Sequence, residues 1–261
     1  MRKTKLRQPR MREGLLPNKL MGQHFLGSPE TALKIVEAAN LSPEKTILEI
    51  GPGLGALTFE LAKRSKRVVT VEKDKNLFTL LQQNLDAKNI KNVELILGDI
   101  LKAPLTELGL PSEYAVVANI PYYLTSRLIR ALLESENAPQ EIFLTVQKEV
   151  AGRIIAKPPH MNLLALAAQA YGEPKIVFYI PRQVFRPTPK VDSALVAITA
   201  ISKTKLGLDA EREKLFFKIA RAAFGQRRKT LLNSLASNMA MPKADVENTL
   251  KNAGIDPGKR A

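Results

Sequence analysis

An alternation of short apolar runs with segments of helical spacing constrains the fold of this chain more than any other feature. Seven runs rich in β-branched and apolar residues follow residue 45, and helically spaced segments separate the first five. This alternation predicts a doubly wound, mostly parallel α/β sheet. A proline-rich loop without a helix joins the last two runs, so we expect them to pair antiparallel, giving the seven-stranded sheet one antiparallel edge strand. The predicted strands are Thr46–Ile50, Arg67–Glu72, Val93–Leu97, Tyr114–Ala118, Glu141–Val146, Lys175–Ile180 and Ser193–Thr199.

The pattern changes near residue 200, after which only helical segments follow. We therefore predict an α/β domain over residues 20–200 and a small all-helical domain over residues 201–261. Residues 1–19 are rich in Arg and Lys with few apolar anchors, so we expect a disordered N-terminal extension, with a mitochondrial transit peptide as the alternative. The predicted C-terminal helices are Ala210–Phe224, Arg227–Ala236 and Lys243–Asn252.

Basic residues are concentrated at the two ends of the chain. Lys and Arg number 40 against 25 acidic residues, a formal net charge of +15. Residues 1–19 carry +6, residues 20–200 carry +2 and residues 201–261 carry +7. A nearly neutral body with cationic flanks suits a protein that holds a polyanion, because neutralising phosphates supplies affinity without sequence preference. Solubility alone is the alternative explanation.

The first C-terminal helix carries a basic stripe. Lys214, Lys218 and Arg221 follow each other at helical spacing, which places them on one face. An RNA backbone could lie against this face, and a solvated helix surface is the alternative. Three more cations follow the helix: Arg227, Arg228 and Lys229.

The cysteine and histidine content narrows the possible chemistry. The chain has no Cys, which excludes disulfides, thiolate zinc sites and cysteine nucleophiles, and its two histidines, His24 and His160, also argue against a metal site. No stretch approaches the ~18 apolar residues that cross a bilayer, and no signal peptide is recognisable. We therefore expect a cytoplasmic protein with no membrane partner, and we expect a monomer.

A glycine-rich turn is the strongest local signal for a ligand. The apolar run that ends at Ile50 leads into Gly51, Gly53 and Gly55 and then into a helix, so its backbone can approach a nucleotide-like ligand closely. Dinucleotide-binding turns have their third glycine one residue later. The shorter glycine spacing favours S-adenosylmethionine over the pyrophosphate of NAD. An NAD-dependent oxidoreductase is the alternative class of enzyme.

Two carboxylates support this interpretation from the next strands. Glu72 ends the second strand, where it can accept hydrogen bonds from both hydroxyls of a ribose. Asp99 follows the third strand and could accept from the amine of an adenine, while Ile100 offers an apolar face to the ring. Because ligands bind at the carboxyl ends of strands in open α/β sheets, we expect Gly51, Glu72 and Asp99 to converge in one crevice.

The tetrapeptide Asn119 to Tyr122 indicates the reaction. The exocyclic amine of adenine is a poor nucleophile, because its lone pair is delocalised into the ring. The Asn119 side-chain oxygen and the carbonyl of Ile120 or Pro121 can accept its N–H groups and direct the lone pair toward a methyl donor. Pro121 stiffens the turn, and Tyr122 would stack on a base taken out of its helix. An ordinary turn with a packed tyrosine is the alternative.

The proline-rich loop before the last strand supplies a second aromatic residue. Phe185 either fills space in the hydrophobic core, as a core plug, or forms a second aromatic surface that holds the base from the side opposite Tyr122, as a stacking clamp. Arg186 and Lys190 in the same loop would then lie close to phosphates.

These features together resemble the ribosomal RNA adenine N6-dimethyltransferase family, in particular its bacterial small-subunit branch. The resemblance extends over residues 20–260, and seven motifs occur in the order of the family. They are Gly22–Leu26, Glu49–Gly55, Val71–Glu72, Gly98–Asp99, Asn119–Tyr123, Gln147–Arg153 and Phe185–Ser193.

The resemblance implies a Rossmann-like methyltransferase sheet and dimethylation of two adjacent adenines in the 3′-terminal hairpin of 16S rRNA, in the immature small subunit. It also assigns cofactor contacts to His24, Leu26, Gly51, Glu72, Asp99 and Asn119. On the residues alone, His24 would be an ordinary surface histidine. Two alternatives stay open: a 23S rRNA adenine methyltransferase of the antibiotic-resistance type and a non-catalytic RNA-binding assembly factor.

Overall fold

The structure is a computed structural model that describes residues 23–102, 104–226 and 228–261. The predicted N-terminal extension and Arg227 lie outside the described residues. Strands alternate with helical segments up to residue 154, a second helix follows directly at 163–171, and three helices follow the last strand. The strands are β1 (Phe25–Leu26), β2 (Thr46–Ile50), β3 (Arg67–Glu72), β4 (Val93–Leu97), β5 (Tyr114–Asn119), β6 (Glu141–Gln147), β7 (Glu173–Ile180), β8 (Phe185–Arg186) and β9 (Ser193–Thr199). The helices are α1 (Pro29–Ala39), α2 (Ala56–Ala62), α3 (Lys75–Ala87), α4 (Thr125–Glu134), α5 (Lys148–Ile154), α6 (Leu163–Tyr171), α7 (Ala210–Phe224), α8 (Leu231–Met239) and α9 (Lys243–Asn252).

The predicted seven-stranded sheet is confirmed, in the order β4-β3-β2-β5-β6-β9-β7. The five strands from β4 to β6 pair in parallel, and β9 pairs antiparallel with both β6 and β7. The two last predicted strands therefore do form an antiparallel pair at one edge. The strand that opposes all the others is β9, which lies one position inside the edge strand β7. A small separate ladder joins β1 to β8.

Helices cover both faces of the sheet. One apolar cluster packs α4 and α6 against one face, and a second packs α1 and α2 against the other. The central strands β2 and β5 are therefore buried along almost their whole length, which explains why they read as continuous apolar runs rather than alternating ones. Each Val, Leu or Ile buried in this way contributes roughly 1.5–3 kcal/mol to folding.

The three C-terminal helices share a small apolar cluster of their own, formed by residues of α7, α8 and α9. Helix α7 is also fixed to the main body, because Phe217 stacks on Tyr171 of α6 with ring centroids 5.6 Å apart and the Tyr171 hydroxyl donates to Glu213. Helices α7 and α9 have the predicted bounds. Helix α8 begins at Leu231 rather than at Arg227, because the Thr230 hydroxyl caps its first turn by accepting from the Asn233 N–H. The boundary between two domains stays a prediction.

No helix in the described ranges combines the length and apolar character that a membrane crossing requires.

The strand order determines where a ligand can bind. From β2 the chain proceeds outward on one side through β3 and β4, and it then returns to the other side of β2 to form β5. A crevice forms at such a switch point, outside the carboxyl ends of the strands. Gly51, Glu72 and Asn119 follow or end β2, β3 and β5, so the fold brings these three predicted residues to neighbouring positions.

Candidate active site

A cleft lies at this switch point. The space between its walls, counted together with the solvent at its mouth, is about 670 Å³. Its walls come from residues 23–26, from parts of the segment 49–57, from Glu72 and from residues 119–122. Of the predicted cofactor residues, His24, Leu26, Gly51, Gly53, Glu72 and Asn119 line this cleft.

The glycine turn forms one wall because only glycine fits it. Gly53 has φ +57°, and a Cβ there would lie 2.9 Å from the Phe25 ring. Gly55, which begins α2, has φ +84°, and a Cβ there would lie 2.7 Å from a methyl group of Leu81. Both positions combine a left-handed backbone with a close neighbour. At Gly51 and Gly53 the backbone lines the cleft without a side chain, whereas Gly55 does not line it.

Glu72 is a fixed carboxylate in the same cleft, only 5% exposed. One oxygen accepts the Gly53 N–H at 3.1 Å and the other accepts the Asp74 N–H at 2.8 Å. Burial raises the pKa of this carboxyl above its ordinary value, although these N–H groups act in the opposite direction. Since a carboxylate oxygen can accept more than one hydrogen bond, Glu72 can also accept from a ligand hydroxyl.

Glu49 is a cleft residue that we did not predict, although it stands within one of the quoted motifs. Its side chain is 1% exposed, and its carboxylate accepts the Thr58 hydroxyl at 2.7 Å. Burial raises the pKa of Glu49 to about 7. The signal was a single carboxylate within the apolar run of β2, where a buried charge is costly without a purpose.

Asn119 is oriented by the segment before β1. Its side-chain Nδ2 donates to the main-chain carbonyl of His24 at 3.1 Å. Because a carbonyl only accepts, the amide nitrogen must face His24 and the Oδ1 atom must face away. Within the described part of the chain, Oδ1 has no hydrogen-bond partner, and Asn119 lines the cleft. An acceptor atom thus lies at the end of β5, and its role toward a substrate amine stays a prediction.

Tyr122 lies beside it, with His24 against its ring. The two rings are 5.4 Å apart between centroids, with 27° between their planes. The Tyr122 hydroxyl forms a 3.0 Å hydrogen bond with the Ser193 hydroxyl at the start of β9. Burial raises the pKa of Tyr122, so the phenol stays neutral. A base that stacked on Tyr122 would use the face that His24 does not cover.

His24 is more than the ordinary surface histidine that the residues alone suggested. Its Nδ1 lies 2.7 Å from the carbonyl of Pro187, which can only accept, so Nδ1 carries a hydrogen. The ring packs on Tyr122, and the main-chain carbonyl holds Asn119. One residue therefore joins the loop after β8 to Asn119 and Tyr122.

Asp99 and Ile100 follow β4 at the same edge of the sheet but do not line the cleft. Asp99 pairs with Lys73 at 3.0 Å and accepts the Leu101 N–H. Burial alone would raise its pKa, but these contacts outweigh burial and hold the pKa below its ordinary value. Ile100 is 8% exposed and packs in the core. Their roles toward an adenine ring stay predictions.

Phe185 occupies the position of a core plug. Its side chain is 0% exposed, lies in the apolar cluster beneath β1, and does not line the cleft. The second face of a stacking clamp is therefore not formed by Phe185 in this structure, because its partner Leu26 in the β1–β8 ladder holds it in the core. Arg186 and Lys190 in the same loop are exposed.

The predicted RNA-binding residues of the C-terminal helices are all exposed where the structure describes them. Two exposed apolar residues of α7, Leu215 and Ile219, alternate with the basic stripe. The exposed basic residues are Lys214, Lys218, Arg221, Arg228 and Lys229.

Known proteins match this chain over almost its whole length. The sequence profile of the family described as "Ribosomal RNA adenine dimethylase" matches residues 15–260. "Ribosomal RNA small subunit methyltransferase A" of Dehalococcoides mccartyi (strain CBDB1) is 46% identical over 254 residues, covering 96% of this chain and 86% of the relative. The protein of the same name from Moorella thermoacetica is 41% identical over 259 residues, covering 95% and 88%.

Solved structures agree with the fold. A dimethyladenosine transferase from Plasmodium falciparum superposes with a TM-score of 0.71 at 26% identity, covering 90% of this chain and 83% of its own. The 23S rRNA methyltransferase ErmE superposes with a TM-score of 0.67 at 29% identity, covering 90% and 91%. These matches confirm the predicted fold class and the resemblance that the seven motifs carry.

Proposed function

The chain belongs to the ribosomal RNA adenine dimethylase family, and we propose that it transfers methyl groups from S-adenosylmethionine to the N6 amines of two adjacent adenines in the 3′-terminal hairpin of 16S rRNA. The proposed substrate is the immature small subunit, and the proposed enzyme is a cytoplasmic monomer. The site residues and their roles below are part of this proposal.

The cleft fits the proposed cofactor. Gly51 and Gly53 line the cleft with bare backbone, and Glu72 offers fixed acceptor oxygens. When bound, S-adenosylmethionine supplies an electrophilic methyl group on a sulfonium. Glu49 places a second acidic side chain in the wall of the same cleft, and its ionised form, which predominates above its pKa of about 7, suits a cationic ligand.

Asn119 is the observation on which the proposal chiefly rests. Its Oδ1 has no partner among the described residues, and the His24 carbonyl keeps it facing the cleft. In this position Oδ1 accepts an N–H of the target amine, and the Ile120 or Pro121 carbonyl accepts the other. These bonds hold the nitrogen pyramidal, with its lone pair directed at the methyl donor. Tyr122 supports the base by stacking.

The test is to incubate the protein with labelled S-adenosylmethionine and immature small subunits and then to map the modified bases. We expect label on N6 of two adjacent adenines near the 3′ end of 16S rRNA. Asn119→Ala should lower kcat by about 100-fold or more, since it removes one stabilising group of the transition state, and RNA binding should persist. Label confined to 23S rRNA, or unchanged activity of Asn119→Ala, would contradict the proposal.

A further inference from the structure

Four exposed side chains lie beside the cleft on the same edge of the sheet, and they are named the flanking patch here: Lys148, Tyr179, Arg182 and Lys190. Lys148 begins α5 directly after β6, and Tyr179 is the last but one residue of β7. Arg182 follows β7, and Lys190 precedes β9. Tyr179 is 54% exposed, a high fraction for a large aromatic residue. None of the four is needed for the core.

The flanking patch is continuous with the substrate side of the cleft. The Tyr122 hydroxyl contacts Ser193 at 3.0 Å, and Ser193 begins β9. The preceding residue, Asp192, accepts the Lys148 N–H on its carbonyl and the Arg182 N–H on its side chain, both at 3.0 Å. A nucleotide next to a base on Tyr122 would therefore reach this surface first.

The charges of the flanking patch are available to a ligand. Lys148, Arg182 and Lys190 form no salt bridge within the part of the chain that the structure describes, and they border one concave surface depression. Arg182 donates through one nitrogen to the Lys190 carbonyl at 2.8 Å, which fixes its guanidinium and leaves other N–H groups free. Two acidic residues, Glu149 and Asp192, border the same depression, so its three basic residues leave a net charge of +1.

Tyr179 adds a stacking surface to these cations. The Lys148 ammonium lies 5.2 Å from the centroid of the Tyr179 ring, within the range of a cation–π contact. An exposed aromatic ring among unpaired cations is the arrangement that binds single-stranded nucleic acid, because bases stack on the ring while the cations contact phosphates.

We propose that the flanking patch binds the unpaired nucleotides adjacent to the target adenine, with a base stacked on Tyr179 and phosphates against Lys148, Arg182 and Lys190. This inference rests on the proposed function, because an adenine taken out of its helix leaves its neighbours unpaired and close to the cleft. The patch then positions the strand rather than the reacting atoms.

The test compares Tyr179→Ala, Tyr179→Phe, Lys148→Ala and Arg182→Ala with the wild type, with methyl transfer measured on immature small subunits and RNA binding measured on protein-free RNA. The matched control is Lys91→Ala, an exposed lysine before β4 at the opposite edge of the sheet. Tyr179→Ala should raise KM for RNA and weaken RNA binding by about tenfold, with KM for S-adenosylmethionine unchanged, whereas Tyr179→Phe should stay within about twofold because it retains the ring. Lys148→Ala and Arg182→Ala should each reduce the salt slope of binding by about one.

Fluorescence anisotropy of a labelled single-stranded RNA measures binding independently of methyl transfer. A wild type that binds RNA but transfers no methyl group to immature small subunits, with Tyr179→Ala still weakening RNA binding, would overturn the proposed function and support the patch. A wild type that methylates, with patch variants equal to Lys91→Ala, would overturn the patch alone. An effect seen only on particles that carry ribosomal proteins would also overturn it, in favour of a protein contact.

Discussion

At the scale of residues, His24 shows how much of the site depends on one side chain. Its ring supports Tyr122, and its Nδ1 ties the ring to the Pro187 carbonyl. The side chain touches no reacting atom in the proposed chemistry, so toward Tyr122 it is a positioning residue, apart from the cofactor contact that the family resemblance assigns to it. Its main-chain carbonyl, which holds Asn119, is kept in any substitution.

We expect His24→Ala to lower kcat/KM for RNA by about tenfold, because Tyr122 loses the ring packed against it. His24→Asn can still donate to the Pro187 carbonyl and should retain more activity. Steady-state kinetics of both variants check this. Equal losses in the two variants would show that the hydrogen bond to Pro187 contributes nothing.

Glu49 makes the stability of the folded protein depend on pH. Burial raises its pKa to about 7 in the folded protein, against an ordinary value of 4.5. Between these values the folded chain binds more protons than the unfolded chain, so the contribution of this group to the free energy of unfolding falls as pH rises through this window. Over the whole window this contribution to the free energy of unfolding falls by about 3 kcal/mol.

Glu49→Gln should therefore be more stable than the wild type at pH 8 and lose this advantage at pH 5, because a glutamine cannot ionise and can still accept from Thr58. Urea denaturation at both pH values measures the difference. The control is Glu113→Gln, which replaces an exposed carboxyl. A difference between Glu49→Gln and the wild type that does not change with pH would contradict the shift.

The sequence indicated Gly51, Glu72, Asn119 and Tyr122 because each follows or ends a strand, and strand ends converge. It could not indicate the contact of His24 with Pro187, which lies 163 positions away in the sequence next to the β1–β8 ladder. Phe185 was ambiguous for the same reason: an aromatic residue in a loop is buried or exposed according to distant neighbours.

At the scale of elements, the turn between β2 and α2 is the most constrained part of the site. Gly53→Ala would place a Cβ 2.9 Å from the Phe25 ring in a left-handed backbone. We expect the free energy of unfolding to fall by roughly 1–2 kcal/mol and cofactor affinity to fall with it. Thermal unfolding and calorimetric titration with S-adenosylmethionine measure these effects. Gly152→Ala on α5 is the control, because open space surrounds that position.

The order of the edge strands illustrates what periodicity leaves undetermined. The runs Lys175–Ile180 and Ser193–Thr199 were recognisable as an antiparallel pair, but either could have paired with β6. The structure places β9 there, since its residues are buried along almost the whole strand while β7 is largely half-exposed. Likewise, α8 could start at several positions after Gly225, and the Thr230 cap decides among them.

At the scale of the whole molecule, the charge distribution predicts strong salt dependence of RNA binding. Residues 20–200 are nearly neutral, and the described stripe of Lys214, Lys218 and Arg221 is exposed on α7. The affinity should fall steeply between low and physiological salt. Replacing all three stripe residues by Ala should lower the slope of log K against log salt by about two to three. A salt-independent affinity would refute this electrostatic account.

The packing of Tyr171 on Phe217 fixes the distance between the basic stripe of α7 and the cleft. This pair and the Tyr171–Glu213 contact hold α7 against α6. The distance between the stripe and the cleft is therefore fixed by the packing of the protein. If the stripe binds RNA as predicted, we expect the cleft to receive only those adenines that lie at this distance from the bound segment. Shape rather than nucleotide sequence can in this way select the target.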